Sequence, residues 1–152
     1  MYKQKMIDFI DQNGEELAKR LVKDFLTREE TKHLRNLRQT SIYGQIYEVY
    51  SMLGSWLGGG KTKTKGKIVE HYIEMGREKY NEGIPLSEVI MMLLLIKRHL
   101  WLFLIEKNFY SDSKGNELLV EANNRAVFFF DRAIWCVAVG YEKEQREDNN
   151  QT

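Results

Sequence analysis

Between Val89 and Ile105 the chain reads VIMMLLLIKRHLWLFLI, and a helix built on that run cannot hide every apolar side chain against one core. On a helical wheel, Val89, Met92, Leu93, Ile96, Leu100 and Phe103 form one stripe. Met91, Leu94, Leu95, Trp101, Leu102 and Ile105 occupy much of the remaining circumference. Such a helix is either enclosed on all sides or turns its second face to another subunit or an apolar ligand. Lys97, Arg98 and His99 interrupt it at the centre. Buried charges need partners, so these residues favour a boundary position over full enclosure. They also argue against a membrane span: three consecutive basic residues at the bilayer midplane are costly, and the run is at the short limit for crossing. The first twelve residues carry charges every few positions and do not resemble a signal peptide. A cytoplasmic location is the expectation.

The rest of the chain follows the same helical spacing. There is one proline, Pro85, and no stretch alternates apolar and polar residues as a half-buried strand does. Met6, Ile7, Phe9 and Ile10 predict a short first helix. Leu17, Leu21, Phe25 and Leu26 predict a second after Asn13-Gly14. TREETKHLRNL predicts a weak third, with Thr27 as N-cap and Glu30 three residues on. Ile42, Ile46, Val49, Leu53 and Trp56 define a helix over about 41–57, ended by Gly58-Gly59-Gly60. Another runs over about 65–82 with Val69, Tyr72, Ile73, Gly76 and Tyr80 inward. Gly76, costly in mid-helix, predicts close approach by a neighbouring helix. Pro85 opens the long apolar helix, which continues to about Asn108, since its missing N–H does no harm there. After the polar loop SDSKGNE, a last helix covers about 117–144, and 145–152 reads as a disordered tail. The expectation is an all-α, single-domain bundle of about six to seven helices, with a globin-like crossing arrangement as the variant. At 152 residues, 43% of them hydrophobic, one domain with a real core is the natural unit.

The segment SMLGSWLGGGKTKTKGK raises the question of a phosphate loop. The glycine that such a loop needs five residues before Gly60 is Ser55, and no strand precedes it. It reads as a linker whose Lys61, Lys63, Lys65 and Lys67 attract anions weakly. Basic and acidic residues nearly cancel, 23 against 22, so nucleic acid is not expected as a partner. Cys136, the single cysteine, lies among apolar neighbours and reads as a buried structural thiol. Glu30 and His33 form half of a di-iron-type pair but lack a second copy, so no metal site is expected. His33 and His71 read as solvent-facing. His99 lies among Met92, Leu95, Leu102 and Phe103 and is the one histidine placed for a haem, with a core edge or subunit contact as the plainer reading. No nucleophile, base and orienting group assemble, so no catalytic residue is assigned and the chain is read as a non-enzyme.

The closing helix, ELLVEANNRAVFFFDRAIWCVAVGYEKE, is also apolar over much of its circumference. Asn124, Phe128, Asp131 and Trp135 share a face, and Asp131 is expected to pair with Lys97 or Arg98 across helices. Together with GREKYNEGIPLSEVIMMLLLIKRHLWLFL, this helix resembles the N-terminal domain family of the RsbRD-type stressosome co-antagonists. The likeness rests on the glycine–x–proline–leucine start, the arginine followed by Leu-Trp, and the asparagine, aspartate and terminal tyrosine of the last helix. It covers about 14–144 and carries no catalytic signature. It implies a bacterial sensory or signalling domain that normally precedes an output module. Here no output module follows Thr152, which suggests either a free-standing sensor or adaptor, or one whose output was lost.

Two readings of function follow. In the first, the chain is a non-enzymatic sensor that works by protein association, as a homodimer or with a signalling partner, through Met91, Leu94, Trp101, Leu102 and Ile105. In the second, a pocket between the 85–107 and 117–144 helices binds a fatty acid or other apolar molecule, or haem at His99. Leu95, Arg98, His99, Trp101, Phe128, Asp131 and Trp135 would line it, with Arg98 available for a carboxylate.

Overall fold

A computed structural model of the chain describes residues 2–37, 39–58, 62–107, 109 and 116–151. Those residues form five helices and two short 3-10 turns: α1 (Tyr2–Thr27), the turns Glu29–Thr31 and Leu34–Asn36, α2 (Gln39–Leu57), α3 (Thr62–Asn81), α4 (Leu86–Glu106) and α5 (Asn116–Gln151). The all-α bundle is as expected, but the count of six to seven helices is too high. The expected first and second helices are one. Gly14 costs about 1 kcal/mol relative to alanine inside a helix. That is less than α1 gains by burying Met6, Ile10, Leu17, Leu21 and Phe25 along one stripe, at about 1.5–3 kcal/mol for each large side chain. The expected third helix is the pair of 3-10 turns. Thr27 does not cap it; its hydroxyl donates back to the carbonyls of Lys23 and Asp24 and finishes α1. Arg28 then turns extended. The Gly59–Lys61 part of the glycine–lysine linker and residues 111–115 of the polar loop lie outside the described residues.

The boundary between α3 and α4 is written in backbone geometry. Gly83 has φ +76°, a region that side chains disfavour. The Ile84 N–H reaches the Lys79 carbonyl at 3.1 Å and the Gly83 N–H reaches Tyr80 at 3.0 Å, a Schellman closure. Pro85 is the N-cap of α4 rather than its first helical residue.

Residues 145–151 are not a disordered tail: α5 continues to Gln151. Arg77 donates to Glu144 at 2.9 Å, Tyr80 Oη to Asp148 at 2.6 Å, and Tyr141 Oη to the Ile84 carbonyl at 2.7 Å. These bonds fasten the end of α5 to the α3–α4 corner. Further along, α3 and α5 meet backbone to backbone. An added Cβ at Gly76 would lie 2.1 Å from the Val137 carbonyl oxygen, and one at Gly140 would lie 1.9 Å from that of Ile73. Gly76 therefore does mark a close helix approach, and Gly140 is its counterpart.

Tyr141 bonds to Ile84 just before α4 begins, while Trp101 and Leu104, near the end of α4, share a cleft with Asn123 and Val127 near the start of α5. The two helices therefore run antiparallel. The core stripe Val89, Met92, Leu93, Ile96, Leu100 and Phe103 is buried as its spacing requires. Leu95, assigned above to the second face, is buried as well.

Candidate functional site

The outer sides of α4 and α5 each leave apolar side chains uncovered. Leu94, Trp101, Leu102 and Ile105 on α4 and Val120, Phe128 and Trp135 on α5 are all exposed, Phe128 by 68% and Trp135 by 55%. Taking roughly 150–200 Å² for each large side chain, the exposed apolar surface of the two helices sums to about 500–700 Å², shared between the α4 side and the groove that Phe128 borders with Trp56 and Lys65. Patches on monomeric proteins are commonly a few hundred Å², and a standard interface buries about 800 Å² per partner.

Between the two helices runs a cleft of about 330 Å³. Met6, Leu100, Leu104, Ala126 and Phe130 form its apolar floor, Trp101 and Val127 its flanks, and Lys97, Arg98 and Asn123 its polar margin. Met6 belongs to the first turns of α1, so three helices contribute.

The seven residues expected around a ligand separate in the structure. Arg98 and Trp101 border the cleft. Leu95 is in the core. Phe128, Asp131 and Trp135 lie on the exposed face of α5, and Phe128 borders a different, open groove with Trp56 and Lys65. His99 faces α1, where its Nε2 meets Asp24 Oδ2 at 2.7 Å. A haem iron at His99 would have to displace that carboxylate. The α4 wheel gives the angle of His99 but not that α1, rather than α5, lies there. Burial alone would raise the Asp24 carboxyl; hydrogen bonds from Arg28 and His99, with their charges, outweigh it and hold the group below its ordinary range. The expected bridge from Asp131 to Lys97 or Arg98 is not formed within the chain. Asp131 and Arg98 are exposed, and no ion pair among the described residues includes either. Of the five expected interface residues, four are exposed and Met91 is half-buried.

The other histidines are less free than their wheels suggest. His33 Nδ1 contacts the Glu88 carboxylate. Glu88 is buried, and also accepts the backbone N–H of His33 at 2.8 Å and of Leu34 at 3.3 Å. This latch holds the 3-10 turns to the first turn of α4. A carboxylate three residues past the N-cap Pro85 was the available sign of it. His71 is only 25% exposed at its side chain and lies 3.5 Å from Glu48, beside a polar hollow of about 220 Å³ between α2 and α3. Cys136 is buried, and burial raises its thiol above the ordinary range. Among the described residues, no group of three His, Cys, Asp or Glu is placed to hold a metal ion, and no helix is long and apolar enough to cross a membrane.

The family described as the RsbT co-antagonist protein rsbRD N-terminal domain matches residues 15–151. No curated protein and no solved structure matches the chain.

Proposed function

The chain belongs to the RsbT co-antagonist protein rsbRD N-terminal domain family, and from that premise we propose that it is a stressosome-related signalling domain that acts by protein association. The exposed apolar face of α4 and α5 carries this reading. A second copy of the chain is its first partner, since a symmetric dimer covers the same surplus on both subunits. Such a face also suits a further signalling protein. The test is the variant Leu94→Glu/Trp101→Glu in a sizing experiment with light scattering. Both positions are exposed, so the variant should keep its helicity and run as a monomer where the parent runs as a dimer. Unchanged elution would show that the face is idle.

A second reading is favoured by the cleft alone: α4 and α5 hold a small apolar molecule, such as a fatty acid, with its carboxylate at Lys97 and Arg98. Native mass spectrometry of the protein as purified tests it. A retained mass that disappears in Ala126→Trp, which fills the floor of the cleft, supports the reading. A bare polypeptide mass that persists after incubation with a medium-chain fatty acid refutes it.

A further inference from the structure

Resting on the dimer reading above, we infer that Arg98 of one copy pairs with Asp131 of the other, twice across a twofold axis, and that these pairs fix the register of the interface.

Charged side chains stand among the exposed apolar ones on both helices. Ion pairs within the chain satisfy most of the neighbouring carboxylates. Glu106 meets Arg20, and Glu121 meets Arg125. Among the described residues Asp131 takes no such partner, and on the α4 side neither Lys97 nor Arg98 has one. Arg132, next to Asp131, lies 5.1 Å over the Trp135 ring. The face therefore holds an unmatched acid on α5 and an unmatched guanidinium on α4, both exposed.

Their positions suit an exchange between copies. On α4, Leu94, Arg98, Trp101 and Ile105 follow one another at helical spacing. On α5, Asn124, Phe128, Asp131 and Trp135 do the same. Each charge is thus embedded in apolar side chains that a second copy would cover, and covering an unpaired charge is costly. An isologous interface sets every α4 residue against the partner's surface by the same operation that returns the partner's residue. Pairing Arg98 with Asp131 once therefore pairs it twice and leaves neither ion buried alone. An apolar stripe permits sliding by a helical turn; two ion pairs select one setting. A partner with a uniformly acidic or basic face would leave one of the two residues facing like charge.

The test is a charge swap on the full chain. Arg98→Glu and Asp131→Arg are made separately, and self-association is followed by sedimentation equilibrium, with circular dichroism melts to show that each variant is folded. In Arg98→Glu homodimers, two acids face each other at both pairs; in Asp131→Arg homodimers, two guanidinium groups do. Each should dissociate at a concentration roughly 10–100-fold above the parent's. An equimolar mixture of the two variants restores opposite charges at both pairs, one of them with its polarity reversed, because one subunit then carries both acids and the other both bases. The mixture should return to within about threefold of the parent's affinity, and native mass spectrometry should show the heterodimer in excess. Variants that dimerise like the parent, or a mixture that stays as weak as its components, would overturn the pairing while leaving the dimer intact. A parent protein that is monomeric throughout would remove the dimer reading and this inference with it. Should either reversal melt far below the parent, Arg98→Gln and Asp131→Asn replace them, and a loss of association below about twofold for both would overturn the pairing.

Discussion

Alanine at Gly140 gives the sharpest test of how the bundle is held together. The new Cβ would be 1.9 Å from the Ile73 carbonyl oxygen, with the Ile73 carbonyl carbon at 2.7 Å and its Cα at 3.0 Å. All three are backbone atoms of α3, so no side chain can swing aside. The helices must part by roughly 1 Å, which opens the packing on both sides of the crossing. Overpacking of this kind costs typically about 1–3 kcal/mol, and a rigid backbone obstacle belongs at the upper end, about 3 kcal/mol. Alanine returns about 1 kcal/mol through helix propensity, leaving a net loss of about 2 kcal/mol. For a domain of this size that lowers Tm by roughly 4–8 °C. Gly76→Ala meets the Val137 carbonyl at 2.1 Å and should behave alike. The double variant should lose less than the two losses together, because one separation of α3 from α5 relieves both clashes. Gly44, exposed on α2 with nothing within 4 Å of an added Cβ, is the control. There alanine should raise stability by about 0.5–1 kcal/mol. Thermal unfolding followed by circular dichroism reads out every variant. A Gly140→Ala variant that melts at or above the parent would refute the close crossing.

Two further outcomes follow from buried polar groups. Tyr72 is 1% exposed and its hydroxyl has no hydrogen-bond partner among the described residues, so Tyr72→Phe should stabilise by about 1 kcal/mol and raise Tm by roughly 2–4 °C; a fall in Tm would contradict this. Asp24, held below its ordinary range by Arg28 and His99, contributes stability above the unfolded value of about 4, and loses it as acid protonates the folded group below that pH. The stability gap between the parent and Asp24→Asn in urea should accordingly be full at neutral pH and shrink below about pH 4; a gap that widens there would show the sign to be wrong.

Much of the fold was legible because helical spacing is a local property. Ile42, Ile46, Val49 and Leu53 are buried as their period requires, and Gly83-Ile84-Pro85 marks a true corner. What local signals missed was decided by tertiary contact. Asn13-Gly14 looks like a break, yet the stripe on either side of it continues into one core. The sequence REDNNQT looks frayed, yet Asp148 and Glu147 are held by Tyr80 and Arg77, 68 and 70 residues earlier in the chain. The candidate site suffered the same limit. A wheel gives the angle of His99 but not the neighbour that fills it, and Asp24 is 75 positions away. Phe128 and Trp135 share a face as expected, but that face points outward, away from Leu95. The surplus of apolar surface on α4 and α5 could be counted from residues alone, whereas the cleft between them depends on the angle at which they pack.

Sedimentation equilibrium of the unmodified chain, from low to high micromolar concentration, decides whether the exposed face of α4 and α5 pairs with a second copy. A reversible monomer–dimer equilibrium, or a dimer throughout, is expected, with Leu94→Glu/Trp101→Glu shifting it to monomer. A parent protein of monomer mass over the whole range would contradict it, and the exposed face of α4 and α5 would then have no role in self-association.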